Sequence, residues 1–166
     1  MDTLTTDKNF AFIDNQNLYM AVKDMGWQID YGRLYSWLKN KYNVSRALMF
    51  MGHIETNEHL YHKIRNSGFE IIFRPTQQYK GKGPKGNCDA ELVMHVMIEL
   101  NNFHQAIIIT GDGDFYSLCE HLIKLNKLSR LLIPNKKKYS ALLRKYSLHS
   151  TFLSDEGLQD KLKKRH

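Results

Sequence analysis

Three aspartates in this sequence stand just beyond short apolar runs, and a fourth opens an amphipathic pattern. Asp14 directly follows Phe10-Ala11-Phe12-Ile13, and Asp112 and Asp114 follow a second run in Thr110-Gly111-Asp112-Gly113-Asp114-Phe115. Asp89 belongs to a helical pattern from Asn87. At 100° per residue it shares one side with Leu92, Val93, Val96, Met97 and Leu100, extending that apolar face at its N-terminal end. In an open parallel sheet, ligands bind outside the carboxyl ends of the strands, where Asp14, Asp112 and Asp114 would lie. Carboxylates gathered on one such edge repel one another, and divalent cations relieve that repulsion. An all-oxygen set of this kind suits Mg²⁺ or Mn²⁺ with water completing the shell.

Each acid also suits a structural role. Asp14 is a good N-cap for a following helix, and Asp89 a good first-turn acid for the helix dipole. Gly-Asp-Gly-Asp favours turns, and it lacks the acid spacing and terminal Glu of an EF-hand loop. Their conjunction in a basic protein favours a cation site with Asp14, Asp89, Asp112 and Asp114 as ligands.

The elements that must position these acids follow from the hydrophobic pattern. Apolar runs predict buried strands over 10–13, 47–51, 69–73, 105–110 and 129–133, several stopped by polar residues or Pro. Between them, helical spacing predicts helices near 16–24, 31–41, 56–66, 87–100 and 115–124. Alternating buried strands and helices imply βαβ units, hence an α/β fold with a mostly parallel sheet and helices on both faces. One domain is expected over residues 1–153, with 154–166 as a basic C-terminal tail, either a short helix or frayed.

Composition sets the outer limits. The 166 residues carry 24 Lys plus Arg and 17 Asp plus Glu, a formal charge of +7, and 42% are hydrophobic, which suits one globular domain. The excess is uneven: residues 1–75 net +1, residues 76–123 net −3 and residues 124–166 net +9. An acidic centre beside a basic flank points to a polyanionic partner, nucleic acid being the commonest, with a solvated basic face or an anionic membrane surface as other readings. No apolar stretch approaches the roughly 18 residues of a membrane span. The N-terminal residues lack the basic and apolar regions of a cleaved signal, and the two cysteines, Cys88 and Cys119, fit a reduced compartment. A cytoplasmic location is therefore expected.

Three segments together resemble the NYN domain, a branch of the PIN-like metal-dependent nuclease superfamily. They are Phe12-Ile13-Asp14-Asn15-Gln16-Asn17-Leu18, Lys85-Gly86-Asn87-Cys88-Asp89 and Thr110-Gly111-Asp112-Gly113-Asp114-Phe115. The resemblance implies a Rossmann-like three-layer fold, a Mg²⁺ or Mn²⁺ site and hydrolysis of RNA phosphodiester bonds. It maps Asp14, Asp89, Asp112 and Asp114 onto the acidic site and Asn17 onto a polar position beside it. It also implies water as the nucleophile and products with 5′-phosphate and 3′-hydroxyl ends. Two features depart from the family pattern: an extra residue between the Lys-Gly pair and Asp89, and His95 where many members carry another Asp. Helical geometry places His95 near Glu91, away from Asp89, on the surface.

Several other patterns fit known motifs only in part. Gly81-Lys82-Gly83-Pro84-Lys85-Gly86 satisfies a dinucleotide fingerprint formally, but it lies mid-chain and not in the first βα turn. Lys80, Lys82 and Lys85 are better read as phosphate contacts, or as a solvated loop, with Tyr79 available to stack on a base. His59-x-x-His62 lacks the order of a zinc-protease motif, and Asp14-Asn15-Gln16 lacks the Asp-x-Asp of haloacid-dehalogenase phosphatases. The flank from Lys124 through Lys136, Lys137 and Lys138 to Arg144 and Lys145 is expected to border the acidic edge and contact RNA. A monomer or a homodimer is compatible with the pattern. The competing readings are a non-catalytic RNA- or protein-binding module and a metal-dependent nucleotide phosphatase.

Overall fold

The computed structural model describes residues 7–53, 55–74 and 88–165. Their order is β1 (Asn9–Asp14), α1 (Asn15–Asp24), α2 (Tyr31–Tyr42), β2 (Val44–Gly52), α3 (Glu58–Ser67), β3 (Glu70–Arg74), α4 (Asp89–Ile98), β4 (Ala106–Ile109), α5 (Tyr116–Lys124), β5 (Leu128–Ile133), β6 (Ser150–Phe152) and α6 (Glu156–Leu162). Short 3₁₀ segments cover Glu55–Asn57, Gly113–Phe115 and Ala141–His149. The strands form one six-stranded sheet in the order β3-β2-β1-β4-β5-β6, with every pairing parallel. This is a three-layer α/β fold, as the alternating pattern predicts. Among the described residues no helix is long and apolar enough to cross a membrane.

Both sheet faces are covered, which explains why the strands read as continuous apolar runs and not as alternating ones. Side chains alternate across β1. Ala11 and Ile13 join Leu18, Leu34, Leu38 and Ile64 of α1, α2 and α3 in one core, while Phe10 and Phe12 join Leu92, Val96, Leu118 and Leu122 of α4 and α5 in the other. Asp14 continues the parity of Phe10 and Phe12, so the strand aims it toward the layer that contains α4.

The apolar stripe of α4 is narrower than its spacing predicts. Cys88, Leu92 and Val96 are buried, one helical turn apart, but Met97 is 41% exposed. His95 is half-buried and not a surface residue, its ring centroid lying 5.4 Å from that of Phe50 on β2. Residues beyond 153 include α6, whose Leu162 is fully buried in the core shared with α1, α2 and α3. The Leu162 carbonyl accepts the Asp30 N–H at 2.9 Å and Lys163 bridges Ile29, so this segment is tied to the start of α2.

Candidate metal centre

In the observed strand order, the chain runs outward from β1 through β2 to β3 on one side and from β4 through β5 to β6 on the other. β1 and β4 are therefore the neighbours at which the direction reverses, and the crevice at their carboxyl ends is where such sheets bind ligands. Asp14 closes β1. In register, Ile13 pairs with Ile109, so the chain just beyond β4 lies beside Asp14.

Asp14 is also the N-cap of α1: its Oδ1 accepts the Asn17 N–H at 3.2 Å. Its other oxygen, Oδ2, accepts the Thr110 hydroxyl at 3.0 Å. The Thr110 Oγ1 in turn accepts the Asp112 N–H at 3.1 Å, and Asp112 Oδ1 accepts the Asp114 N–H at 2.9 Å, folding Gly113–Phe115 into a 3₁₀ turn. The Asn17 side chain accepts the Gly111 N–H at 2.7 Å, binding the start of α1 to the loop after β4. The N-cap role of Asp14 is thus compatible with holding a cation, because each carboxylate oxygen accepts one hydrogen bond and keeps a further lone pair.

Asp14, Asp89 and Asp112 converge: one potential ligand atom from each lies within 4.8 Å of the others. Asp14 is buried and Asp89 and Asp112 are half-buried, so the set opens to solvent on one side. Burial is the main cause that pushes the Asp14 carboxyl from 3.8 up to about 6, reinforced by the Asp112 charge and opposed by the bonds from Asn17 and Thr110. A buried, charge-crowded carboxylate set with a solvent opening is what a hard divalent cation requires, and these three residues fit one. Asp114 stands outside the set; its side chain is exposed and its contribution here is the backbone bond to Asp112. Cys88, adjacent to Asp89, is buried, and burial foremost pushes its thiol up to about 11.

Of the basic residues predicted to border the site, Lys136, Lys137 and Lys138 follow β5 on the same sheet edge, and all three are exposed. Their loop is anchored to the site because the Ser140 N–H donates to the Gly111 carbonyl at 3.0 Å. Lys138 also pairs with Asp24 at 3.3 Å, and Lys145 with Glu120 at 2.9 Å. Arg144 is exposed on the 3₁₀ segment that leads to β6. Lys124 does not border the acids: it ends α5, which descends from them to the opposite edge, where β5 begins. Lys80, Lys82 and Lys85, with Tyr79, lie outside the described residues. Thr110, which sequence reading passed over, is the fully buried hub of the carboxylate bonds. Its signal was a polar residue ending the fourth apolar run, opposite Asp14 only once β1 and β4 are known to pair.

The fold and site define a Rossmann-like α/β protein with three converging carboxylates that could hold a metal ion at its topological switch point. The chain belongs to the NYN domain family, whose model matches residues 10–153; the family is a PIN-like nuclease branch. The protein is similar over 99% of its length to the whole of a crystallised protein of unknown function from Vibrio parahaemolyticus, with 20% identity and a TM-score of 0.78, a likeness of fold. No curated protein matches the chain.

Proposed function

We propose that this protein is a divalent-cation-dependent endoribonuclease that hydrolyses RNA phosphodiester bonds, leaving 5′-phosphate and 3′-hydroxyl ends. The observation that carries this reading is the convergence of Asp14, Asp89 and Asp112 within 4.8 Å at the switch point of a nuclease-family fold. These three residues would hold Mg²⁺ or Mn²⁺. When bound, such a cation acidifies coordinated water and offsets charge at the scissile phosphate. The chain supplies the rest. Thr110 and the Asn17 N–H fix the two oxygens of Asp14, Asn17 and Thr110 position the Gly111–Asp112 loop, and Asp114 lies at the solvent side to orient the attacking water. Lys136, Lys137 and Arg144, with Lys80, Lys82 and Lys85, contact the phosphates that lead to the site. A cytoplasmic setting, single-stranded or structured RNA as the substrate, and a monomeric or dimeric assembly complete the proposal.

The test is cleavage of single-stranded RNA, duplex RNA, DNA and nucleoside monophosphates with Mn²⁺ or with EDTA, using the parent protein and the Asp14→Asn and Asp112→Asn variants. Cation-dependent RNA cleavage that both variants lose supports the proposal. Undiminished cleavage by either variant overturns the assignment of the site. Release of phosphate from monophosphates, without RNA cleavage, would establish a nucleotide phosphatase instead.

A further inference from the structure

On the opposite face of the sheet from α4, a cavity of about 930 Å³ opens between α1, the start of α2 and α3. It shares no lining residue with the Asp14, Asp89 and Asp112 set. Its volume falls within the roughly 300–1,000 Å³ range of small-molecule sites. Three aromatic residues, Tyr19, Trp27 and Tyr31, contribute to its wall, as do three lysines, Lys23, Lys63 and Lys164.

The charges there are one-sided. Among the described residues none of these lysines has a carboxylate partner, although Lys23 Nζ stands 5.9 Å from the centre of the Tyr19 ring. The acid in the wall, Asp30, is already engaged: Oδ1 accepts the Arg33 N–H at 3.0 Å and Oδ2 lies 3.7 Å from Arg33 Nε. Three exposed lysines in the lining of a cavity that also carries aromatic residues favour a negatively charged, planar molecule.

Trp27, in the wall of the cavity, belongs mostly to the core. It is only 8% exposed, and its Nε1 is buried without a hydrogen-bond partner. A buried indole N–H ordinarily finds an acceptor, because leaving it unmade costs about 1–3 kcal/mol. The neighbouring Tyr31 hydroxyl is satisfied differently, donating to Asn15 Oδ1 at 3.3 Å. That nitrogen is closed to solvent, so a ligand in the cavity would meet Trp27 through its accessible atoms and not through Nε1.

We propose that this cavity binds a small aromatic anion of the nucleoside-monophosphate class, its ring against Trp27 and the tyrosines and its phosphate among Lys23, Lys63 and Lys164. The proposal is independent of the nuclease reading. The protein has two tryptophans, so a Trp37→Phe background leaves Trp27 as the sole indole reporter. Titration of that full-length protein with adenosine 5′-monophosphate in EDTA, which removes cation-mediated binding at the acids, is expected to give a saturable change in Trp27 fluorescence. Lys63→Glu combined with Lys164→Glu, both at exposed positions, should weaken binding at least about tenfold. Adenosine and inorganic phosphate, each holding half of the recognised chemistry, should each bind at least about tenfold more weakly than the monophosphate. Asp112→Asn should leave binding unchanged. The proposal is overturned if no saturable signal appears at millimolar ligand, if the lysine variant binds as the parent does, or if Asp112→Asn abolishes the signal. Because Trp37→Phe alters a ring in edge-to-face contact with Tyr42, calorimetric titration of the unaltered protein with the same ligand at two temperatures serves as the second measurement, and absence of heat at both with millimolar ligand would likewise overturn it.

Discussion

The Thr110 hydroxyl donates to Asp14 Oδ2 at 3.0 Å while it accepts the Asp112 N–H at 3.1 Å. One buried hydroxyl thereby fixes the orientation of one carboxylate and the backbone of the next, across the two strands that flank the switch point. Thr110→Val keeps the shape but removes both bonds, leaving an oxygen of Asp14 and the Asp112 amide without this partner. The expected loss is about 1–3 kcal/mol of folding stability, with weaker Mn²⁺ binding. Thr110→Ser retains the hydroxyl and should recover most of the cation affinity. Denaturant unfolding together with Mn²⁺ titration calorimetry separates the two effects, and a valine variant with parental cation affinity would show that the hydroxyl does not position Asp14.

The raised Asp14 carboxyl has a pH consequence whose sign is opposite to that of an ordinary ion-paired acid. Folded Asp14 titrates at about 6 and its ordinary value is 3.8, so between these values the folded protein keeps a proton that the unfolded chain loses. The resulting stability is fully present below 3.8 and is lost as pH rises through about 6, a contribution on the order of 3 kcal/mol. In EDTA, Asp14→Asn should therefore be more stable than the parent at pH 7.5 relative to their difference at pH 4. Added Mn²⁺ should stabilise the parent more at pH 7.5 than at pH 5 and should barely affect the variant. Urea midpoints across that pH range check both statements; parallel pH profiles for parent and variant would refute the first.

Where the chain is buried on both sides, the fold is legible in its sequence. Phe10 to Ile13 and Ala106 to Ile109 are apolar without interruption because helices cover both faces, and Asp14 and Asp112 mark where that coverage ends. β6 escapes the same reading because Ser150-Thr151-Phe152 is three residues at the sheet edge, half-buried and partly polar. The Ala141–His149 segment escapes because its 3₁₀ repeat does not follow the helical period, and only Leu143 and Tyr146 are buried. The three carboxylates were readable from strand ends and helix phase. Thr110 was not, because its role depends on which strand lies next to β1, and non-local pairing leaves no mark on local pattern. The same cause misplaced Lys124, whose sequence proximity to other basic residues does not survive the reversal of direction through α5.

Gly113 occupies the middle of the acidic loop for reasons of space. A Cβ there would collide with Ser140 Oγ and come within 2.9 Å of Ser140 Cβ and 3.1 Å of Leu142 Cδ1. Ser140 cannot easily retreat, since its N–H holds the Gly111 carbonyl and its Oγ accepts the Leu142 N–H at 3.2 Å. Gly113→Ala should cost about 1–3 kcal/mol through overpacking and should also displace Asp112 and Asp114. Pairing it with Ser140→Gly removes the collision and should return part of the stability while losing the cap on Leu142. A thermal-unfolding double-mutant cycle measures this; strict additivity of the two changes would mean that the contact does not limit the loop.

The placement of the basic residues predicts a graded response to salt. Each phosphate contact on single-stranded RNA contributes about −0.7 to the slope of log K against log salt concentration. Lys136 and Lys137 stand exposed on the loop that Ser140 ties to Gly111, and Arg144 follows on the next segment. Replacing any one of them with Ala should reduce the magnitude of the slope by about 0.7 and weaken binding without regard to RNA sequence. Lys138→Ala should have a smaller effect, because its Nζ is already shared with Asp24 at 3.3 Å. Lys124→Ala should leave the slope unchanged, since that residue ends α5 at the opposite edge of the sheet. Filter-binding or fluorescence-anisotropy titrations at several salt concentrations, with the catalytically impaired Asp112→Asn protein to prevent cleavage, read the slope directly. If Lys124 changed the slope as much as Lys137, RNA would have to run along a different edge from the one that carries the acids.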